Sequence, residues 1–266
     1  MALQFQQHPG LVVYLTAGDA GLWPKAASGH GPDLSVTREI ALAAIDAGAD
    51  VIELGVPFSD PLADGPVIQR ASERALARGT RLKDVIALAG ELRQARPKAG
   101  LVIFSYFNPI LRMGLANFAD AAAEAGVDGV LLTDMIIEEA GAYLAEMERV
   151  NLAPIFLAAP TSPDERLKRI AEASRGFVYA VSRTGVTGQR QQLAEDARKL
   201  VKRLRRATKL PIALGFGIST AAQFADVGKF ADAVVVGSAI VETIARNQGR
   251  EATAVGEFVK KLRAEN

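Results

Sequence analysis

Residues 47–54 read AGADVIEL, and residues 125–132 read AGVDGVLL. In both stretches a glycine is followed two residues later by an aspartate and then by mostly aliphatic residues. Glycine is favoured just after a helix end, because the left-handed backbone conformation costs it no clash with a Cβ atom. Residues 230–236, FADAVVV, repeat the pattern without the glycine. The chain is therefore predicted to repeat one unit, in which a helix ends in a tight turn and a buried strand follows.

Eight short apolar runs alternate with longer segments of helical periodicity along the whole chain. The predicted strands are Leu11 to Leu15, Val51 to Leu54, Leu101 to Phe104, Val130 to Leu132, Pro154 to Leu157, Phe177 to Val181, Ile212 to Leu214 and Val234 to Val236. The segments between them carry an apolar stripe with charges on the other faces, as residues 193–204 illustrate. Continuous apolar strands, each followed by a helix, predict a parallel sheet covered by helices.

This alternation predicts a single (β/α)8 TIM barrel that takes in residues 1–266 as one domain. Eight such units in about 250 residues are typical of that closed barrel. An open, doubly wound parallel sheet is the alternative. The G-x-G-x-x-G turn that marks its dinucleotide-binding form is absent after the first strand, which is weak evidence against it.

The composition removes several kinds of chemistry. The chain has 266 residues, no cysteine and two histidines, which excludes disulfides, thiolate nucleophiles and histidine-rich or cysteine-bearing metal sites. We therefore expect no metal site. A Schiff-base aldolase needs a lysine at a strand end, but the lysines here fall in helices, loops or the tail. Carbon–carbon chemistry in this barrel would have to proceed by general acid–base catalysis.

Charge and hydropathy predict a cytoplasmic protein that binds neither membrane nor nucleic acid. The 31 Lys and Arg nearly balance the 30 Asp and Glu, which gives a net charge of +1. No stretch approaches the roughly 18 consecutive apolar residues of a membrane span, and the N-terminus lacks the features of a signal peptide. The basic stretch Arg198 to Lys209 has an apolar stripe and no aromatic platform, so a solvated helix face explains it better than a nucleic-acid site.

Glu53 is a charged residue inside an otherwise apolar predicted strand. It lies near the C-terminal end of the second strand, where barrel enzymes place their active sites. Apolar surroundings raise the pKa of a carboxyl group and suit it to proton transfer near neutral pH. A structural ion pair at the strand end is an equally good interpretation of this position alone. Asp60 and Asp64 follow in a loop, where an aspartate before Pro or Gly also shapes turns.

Glycine-rich turns follow the last three predicted strands. Residues 183–188 follow the sixth strand, residues 215–217 the seventh, and Gly237 with Ser238 the eighth. Many barrels bind phosphate after their last two strands, through glycine N–H groups, a hydroxyl and the N-terminus of a short helix. Each motif alone is weak evidence, because tight turns also require glycine, but their joint placement favours a phosphate site.

The sequence resembles the tryptophan synthase alpha subunit family over nearly its whole length. The stretch ELGVPFSDPLADGP at residues 53–66 is similar to that family's signature and is the most specific match. Four shorter matches, in the family's order, are YLTAGD at residues 14–19, SRTGVTG at 182–188, GFGIS at 215–219 and GSAIV at 237–241. The glycine motifs by themselves would suit many phosphate-binding barrels.

The resemblance implies cleavage of indole-3-glycerol phosphate to indole and glyceraldehyde 3-phosphate, a retro-aldol reaction without a cofactor. Carried over by motif, Glu53 would protonate the indole ring carbon and help to remove the glycerol hydroxyl proton. Asp64 would accept a hydrogen bond from the indole N–H and so stabilise positive charge on the ring. Tyr179 would line the site near Glu53.

The remaining site residues fall into three groups. Phosphate binding is expected of Gly188, Gly217, Gly237 and Ser238. Shaping of the pocket and closure of its loops are expected of Tyr14, Thr16, Asp60 and Thr187. The apolar indole slot is expected to form from Phe58, Tyr106, Leu131 and Phe216. Ordinary barrel packing is the better explanation for Leu131.

The resemblance also implies a protein partner. The family acts with a beta subunit in a heterotetramer of two alpha and two beta subunits, so pyridoxal phosphate is expected in the beta subunit and no cofactor in this chain. Three alternatives stay open. The chain could be a stand-alone indole-3-glycerol phosphate lyase, a weakly catalytic or non-catalytic barrel that binds and activates the beta subunit, or another phosphate-binding isomerase barrel.

Overall fold

The computed structural model describes residues 3–19, 32–181, 190–215 and 217–264, apart from the side chains of residues 190–194. Nine parallel strands form one sheet within these ranges. They are β1 (Gly10–Thr16), β2 (Val51–Gly55), β3 (Gly100–Ser105), β4 (Gly129–Leu132), β5 (Ala153–Ile155), β6 (Leu157–Ala158), β7 (Val178–Val181), β8 (Ile212–Gly215) and β9 (Ala233–Val236).

The sheet curls into a nearly closed barrel. Its order is β5-β4-β3-β2-β1-β9-β8-β7-β6, so its two ends are strands that only Phe156 separates in the chain. Pro154 pairs with β4 on one side of that residue, and Leu157 pairs with β7 on the other. The predicted fifth strand is thus two short strands that share one position in the barrel. The barrel prediction is confirmed, and the open doubly wound sheet is excluded.

Eleven helices in the described residues follow or connect the strands. They are α1 (Ser35–Asp46), α2 (Pro66–Ala77), α3 (Leu82–Ala95), α4 (Phe107–Met113), α5 (Leu115–Glu124), α6 (Gly141–Arg149), α7 (Asp164–Ala173), α8 (Arg190–Ala207), α9 (Ala221–Gly228), α10 (Ser238–Arg246) and α11 (Glu251–Arg263). None of these helices is long and apolar enough to cross a membrane. The extent of the domain, predicted as residues 1–266, stays a prediction.

Side chains alternate between two packed regions along each strand. In β1, Leu11, Val13 and Leu15 pack against the helices, whereas Val12 and Tyr14 point into the barrel. We call the packed layer inside the barrel the interior cluster. Its buried members are Leu3, Val12, Val51, Val102, Leu131, Ile155, Phe177, Ala213, Ala233 and Val235. The residues above this layer, toward the C-terminal strand ends, are therefore the candidates for a site.

Residues 3–9 close the barrel at the N-terminal strand ends. Leu3 is buried in the interior cluster, and the Phe5 ring lies 5.8 Å from the Phe177 ring. A Cβ atom on Gly176 would come within 2.8 Å of the Leu3 side chain, so the close packing of Leu3 requires a glycine there. The floor of the barrel is therefore apolar and filled.

The repeated aspartates of the sequence pattern bind the start of the preceding strand in sequence. Each aspartate exchanges two hydrogen bonds with one residue there, since its backbone N–H donates to the carbonyl and its side chain accepts from the N–H. The three pairs are Asp50 with Leu11, Asp128 with Leu101 and Asp232 with Ile212. The repeated aspartate of the sequence therefore marks a repeated pair of hydrogen bonds between neighbouring strands.

An arginine neutralises each of these aspartates. Arg93 lies 2.5 Å from Asp128, Arg205 pairs with Asp232, and Arg263 on α11 lies 2.6 Å from Asp50. The Asp50 pair is the most buried, with side chains that are 4% and 11% exposed. Arg263 also donates to the carbonyl oxygens of Pro9 and Gly48, and so fastens the last helix to the barrel floor.

Asp50→Ala should lower the free energy of unfolding by about 3 kcal/mol, because it leaves a buried arginine without its counter-charge. Chemical denaturation of the purified chain measures this loss. Asp46→Ala is the matched control, since it breaks the exposed pair with Arg96 and should cost much less. Equal losses from the two variants would contradict the role given to Asp50.

Candidate active site

The Glu53 side chain lies inside the barrel, directly above the interior cluster. It is fully buried on β2, beside Tyr14 of β1 and Val102 of β3 in the sheet register. Neither carboxyl oxygen has a hydrogen-bond partner in the part of the chain that the structure describes. Burial raises the pKa of Glu53 to about 8, so the group is mostly protonated at neutral pH. The structural ion pair that the sequence left open for Glu53 is not found among the described residues.

Two tyrosine rings share the barrel mouth with Glu53. Tyr14 and Tyr179 come from β1 and β7, and burial raises the pKa of both phenols well above its usual value. The negative charges of Glu53 and Asp64 also raise the pKa of both phenols, because the four groups lie close enough to interact electrostatically. The two phenols remain neutral hydrogen-bonding groups at any physiological pH.

Glycines make room for the two tyrosine rings. A Cβ atom on Gly55 would collide with the Tyr14 hydroxyl, and one on Gly215 would come within 2.9 Å of the Tyr179 hydroxyl. Thr16 is buried at the end of β1 and donates a hydrogen bond of 3.3 Å to the Tyr14 hydroxyl. The glycines that end β2 and β8 thus have a packing role in addition to any role in turns.

Asp64 lies in the loop between β2 and α2, held by its neighbours. The Tyr106 hydroxyl donates to the Asp64 carboxylate at 3.1 Å and accepts from the Ala63 backbone N–H at 2.9 Å. Gln69 on α2 donates to the Asp64 carbonyl oxygen at 2.8 Å. Burial raises the pKa of Asp64 to about 6, and the hydrogen bond from Tyr106 opposes that rise. Asp64 is therefore largely ionised at pH 7, whereas Glu53 is not.

Aromatic rings line the mouth between these carboxyl groups. The Phe58 ring lies 5.0 Å from the Tyr106 ring, and Phe104 packs edge-on against Tyr14 at the same distance. The sequence prediction missed Phe104. The signal for it was available, since Phe104 is two residues beyond Val102 on β3 and so faces the barrel interior.

Two of the four predicted phosphate-binding residues are adjacent in the chain, and a third follows the neighbouring strand. Gly237 precedes α10 and Ser238 is its first residue, so the N-terminal end of that helix lies at the barrel rim. Gly217 follows β8, the neighbour of β9, and has a φ of +62°, which favours glycine. The fourth residue, Gly188, lies outside the described residues, as do Thr187 and Phe216.

Two further predicted residues differ from this group in burial or in contacts. Leu131 is fully buried within the interior cluster, below the mouth. Asp60 is exposed in the loop after β2, where it accepts a hydrogen bond of 2.6 Å from the Ser59 hydroxyl. In the described ranges, no three His, Asp or Glu side chains gather in a way that could hold a metal ion.

A parallel barrel with two carboxyl groups of different pKa at its mouth and a helix N-terminus on its rim has the architecture of a phosphate-binding barrel enzyme. A family model described as tryptophan synthase alpha chain matches residues 1–265. The chain belongs to the tryptophan synthase alpha chain family.

Curated relatives and solved structures agree with that family. The chain is 47% identical over 245 residues to the tryptophan synthase alpha chain of Solibacter usitatus, which covers 92% of this chain and 87% of that one. It is 45% identical over 260 residues to that of Methylococcus capsulatus, covering 98% and 93%. A mutant tryptophan synthase alpha-subunit from Pyrococcus furiosus superimposes with a TM-score of 0.85 at 35% identity, covering 97% and 98%.

Proposed function

We propose that Glu53 is the general acid–base, and Asp64 the charge-stabilising carboxylate, in the cleavage of indole-3-glycerol phosphate to indole and glyceraldehyde 3-phosphate. The chain is a carbon–carbon lyase of tryptophan biosynthesis, as its family is. The Glu53 carboxyl group supports this role most directly, because it is fully buried and has both oxygens free within the described residues. We also propose a cytoplasmic location, which a biosynthetic role favours.

Glu53 begins the reaction as an acid, since its pKa of about 8 keeps it protonated at neutral pH. Its proton passes to the ring carbon of indole that carries the glycerol chain. The carboxylate that remains then removes the proton of the adjacent glycerol hydroxyl. The bond between ring and chain breaks, its electron pair returns to the ring, and the hydroxyl carbon becomes the aldehyde. Glu53 ends the cycle protonated, so the proton balance closes without a cofactor.

Asp64 stabilises the charge that this protonation creates. A protonated indole ring is cationic, and its N–H becomes a stronger hydrogen-bond donor. Asp64 is ionised above its pKa of about 6 and partly shielded from solvent, where an opposite charge stabilises a transition state more than it would in water. Tyr106 keeps this carboxylate in place, since its hydroxyl joins the carboxylate to the backbone of the same loop.

The remaining residues of the mouth position the substrate. Phe58, Phe104 and Tyr106 form an aromatic wall on which an indole ring can pack. We propose that Gly217, Gly237 and Ser238 hold the substrate phosphate at the N-terminus of α10, and that Gly188 joins them. The ring then lies toward Asp64, while the reacting carbon lies over Glu53.

Glu53→Gln should keep substrate binding and lose about 10²–10⁴-fold in turnover, because the amide keeps the shape of the side chain and cannot transfer a proton. Indole release and calorimetric binding of indole-3-glycerol phosphate measure the two effects. Glu91→Gln, on the exposed surface of α3, is the control and should release indole normally. Near-normal indole release by Glu53→Gln would overturn the assignment.

Tyr106→Phe should move the acid limb of the kcat/KM profile to higher pH. The lost hydrogen bond stabilised the Asp64 carboxylate, and a bond of about 0.5–1.5 kcal/mol corresponds to about half to one pKa unit. The substrate phosphate also titrates near pH 6. The measurement therefore compares the midpoint pH of the acid limb in the variant with that in the wild type, since the substrate phosphate is the same in both.

Tyr143→Phe is the matched control for that comparison. Its hydroxyl donates to the Val130 carbonyl oxygen at 2.9 Å, between a helix and the outside of the barrel. Its removal should lower stability and leave the acid limb in place. A Tyr106→Phe profile with an acid limb that stays in place, or moves to lower pH, would refute the role given to Tyr106.

We propose that the apolar surface around the barrel mouth binds a tryptophan synthase beta subunit, which carries the pyridoxal phosphate. Leu62, Leu111 and Ile136 are 94%, 55% and 42% exposed, and they follow β2, β3 and β4, which are neighbours in the barrel. Exposed apolar side chains grouped in this way are typical of protein-binding surfaces. One solved structure of tryptophan synthase from Mycobacterium tuberculosis contains a chain similar to this one, at 38% identity, a TM-score of 0.84 and coverage of 97% and 92%.

Replacement of Leu111 and Ile136 by serine should raise by about tenfold the beta-subunit concentration that gives half-maximal stimulation of indole release. Basal activity should not change, because neither residue lies in the barrel mouth. Leu76→Ser, at a partly exposed position on α2, is the control. Strong wild-type activity without stimulation would instead support a stand-alone lyase. Activation of the beta subunit by an inactive chain would support a barrel that only binds and activates.

A further inference from the structure

Asp19 and Arg74 form an ion pair between the segment that follows β1 and the last turn of α2. Arg74 contacts both carboxylate oxygens, at 2.5 and 3.0 Å, and the Asp19 side chain is only 2% exposed. Two parallel hydrogen bonds from one guanidinium fix the orientation of both groups. None of the proposed catalytic roles uses this pair.

A second arginine, the C-cap residue that follows α2, binds Gly18, the neighbour of Asp19. Arg78, one turn beyond Arg74, donates to the Gly18 carbonyl oxygen at 3.0 Å. Gly18 has a φ of +84°, and a Cβ atom there would collide with the Thr80 hydroxyl. The segment after β1 therefore lies directly against α2 and the turn that follows it.

The other end of α2 holds the loop that carries Asp64. The helix begins at Pro66, two residues after Asp64, and Gln69 donates to the Asp64 carbonyl oxygen at 2.8 Å. A helix transmits a displacement at one turn to the next because its backbone hydrogen bonds are continuous. The position of Asp64 therefore depends on where the Arg74 end of α2 is fastened.

We propose that Arg74 is a positioning residue for Asp64. Its bidentate pair with Asp19 fastens α2 to the segment that follows β1, and α2 in turn holds the Asp64 loop at the barrel mouth. Loss of the guanidinium leaves the Asp19 carboxylate buried without its partner, so the helix must shift or water must enter. Either change moves Asp64 away from the indole N–H, and a displacement of about 1 Å can cost up to about 100-fold in rate. The catalytic consequence rests on the role proposed for Asp64.

The test compares Arg74→Gln with Arg96→Gln. Arg96 forms an equally bidentate pair with Asp46, at 2.7 Å for both contacts, at the opposite end of the barrel. Arg74→Gln should lower kcat at least about tenfold with KM nearly unchanged, because the phosphate site is untouched. Its acid limb should move to lower pH, since Asp64 becomes more solvated and its raised pKa falls back. Arg96→Gln should leave kcat and the acid limb at wild-type values.

Amide hydrogen exchange supplies a readout that does not depend on the reaction. The Ala63 and Asp64 amides donate to Tyr106 and Pro61, and they should exchange faster in Arg74→Gln but not in Arg96→Gln. Faster exchange together with wild-type kcat would show that Asp64 lacks its proposed role while Arg74 still positions the loop. A variant that loses thermal stability but keeps wild-type exchange and acid limb would overturn the proposal for Arg74. Should Arg74→Gln fail to fold, Asp19→Asn, which removes the charge from the other partner, is held to the same outcomes.

Discussion

In the part of the chain that the structure describes, the Glu53 carboxyl group lies inside the barrel without an ionic partner. Glu53 is fully buried, and none of the described residues forms a hydrogen bond with either of its oxygens. Such a group costs folding free energy, and it avoids the larger cost of a buried charge by remaining protonated. Most of the site can be understood from this constraint. The glycines of β2 and β8 admit two tyrosine rings, and these neutral phenols surround the carboxyl group without ionising it.

The carboxyl groups at the two ends of the barrel differ in whether they pair with an arginine. At the N-terminal ends of the strands, Asp50, Asp128 and Asp232 each accept a strand N–H and pair with an arginine. At the C-terminal ends, Glu53 and Asp64 form no ion pair among the described residues, and the pKa of each is raised by burial. The paired groups stabilise the fold. Within the described residues Glu53 and Asp64 lack such pairs, which fits the proton-transfer and charge-stabilising roles proposed for them.

The sequence alone predicts the barrel, because each unit repeats the same local pattern of an apolar strand and an amphipathic helix. All eight predicted strand positions are present, and only the fifth divides at Phe156. Burial of Glu53 also followed from its apolar neighbours, but the sequence left a structural ion pair equally open, since a partner can come from any other strand. The contact between Tyr106 and Asp64, and that between Arg74 and Asp19, join residues 42 and 55 positions apart. No local pattern encodes such contacts, which is why they became visible only in the folded chain.

The ionisation of Glu53 can be measured directly. Carbon-13 NMR of the chain labelled at its glutamate carboxyl carbons, recorded from pH 4 to pH 10, follows each group separately. We expect one resonance with a midpoint near pH 8, which disappears in Glu53→Gln. A Glu53 resonance that titrates near pH 4.5, like an ordinary exposed glutamate, would contradict this expectation.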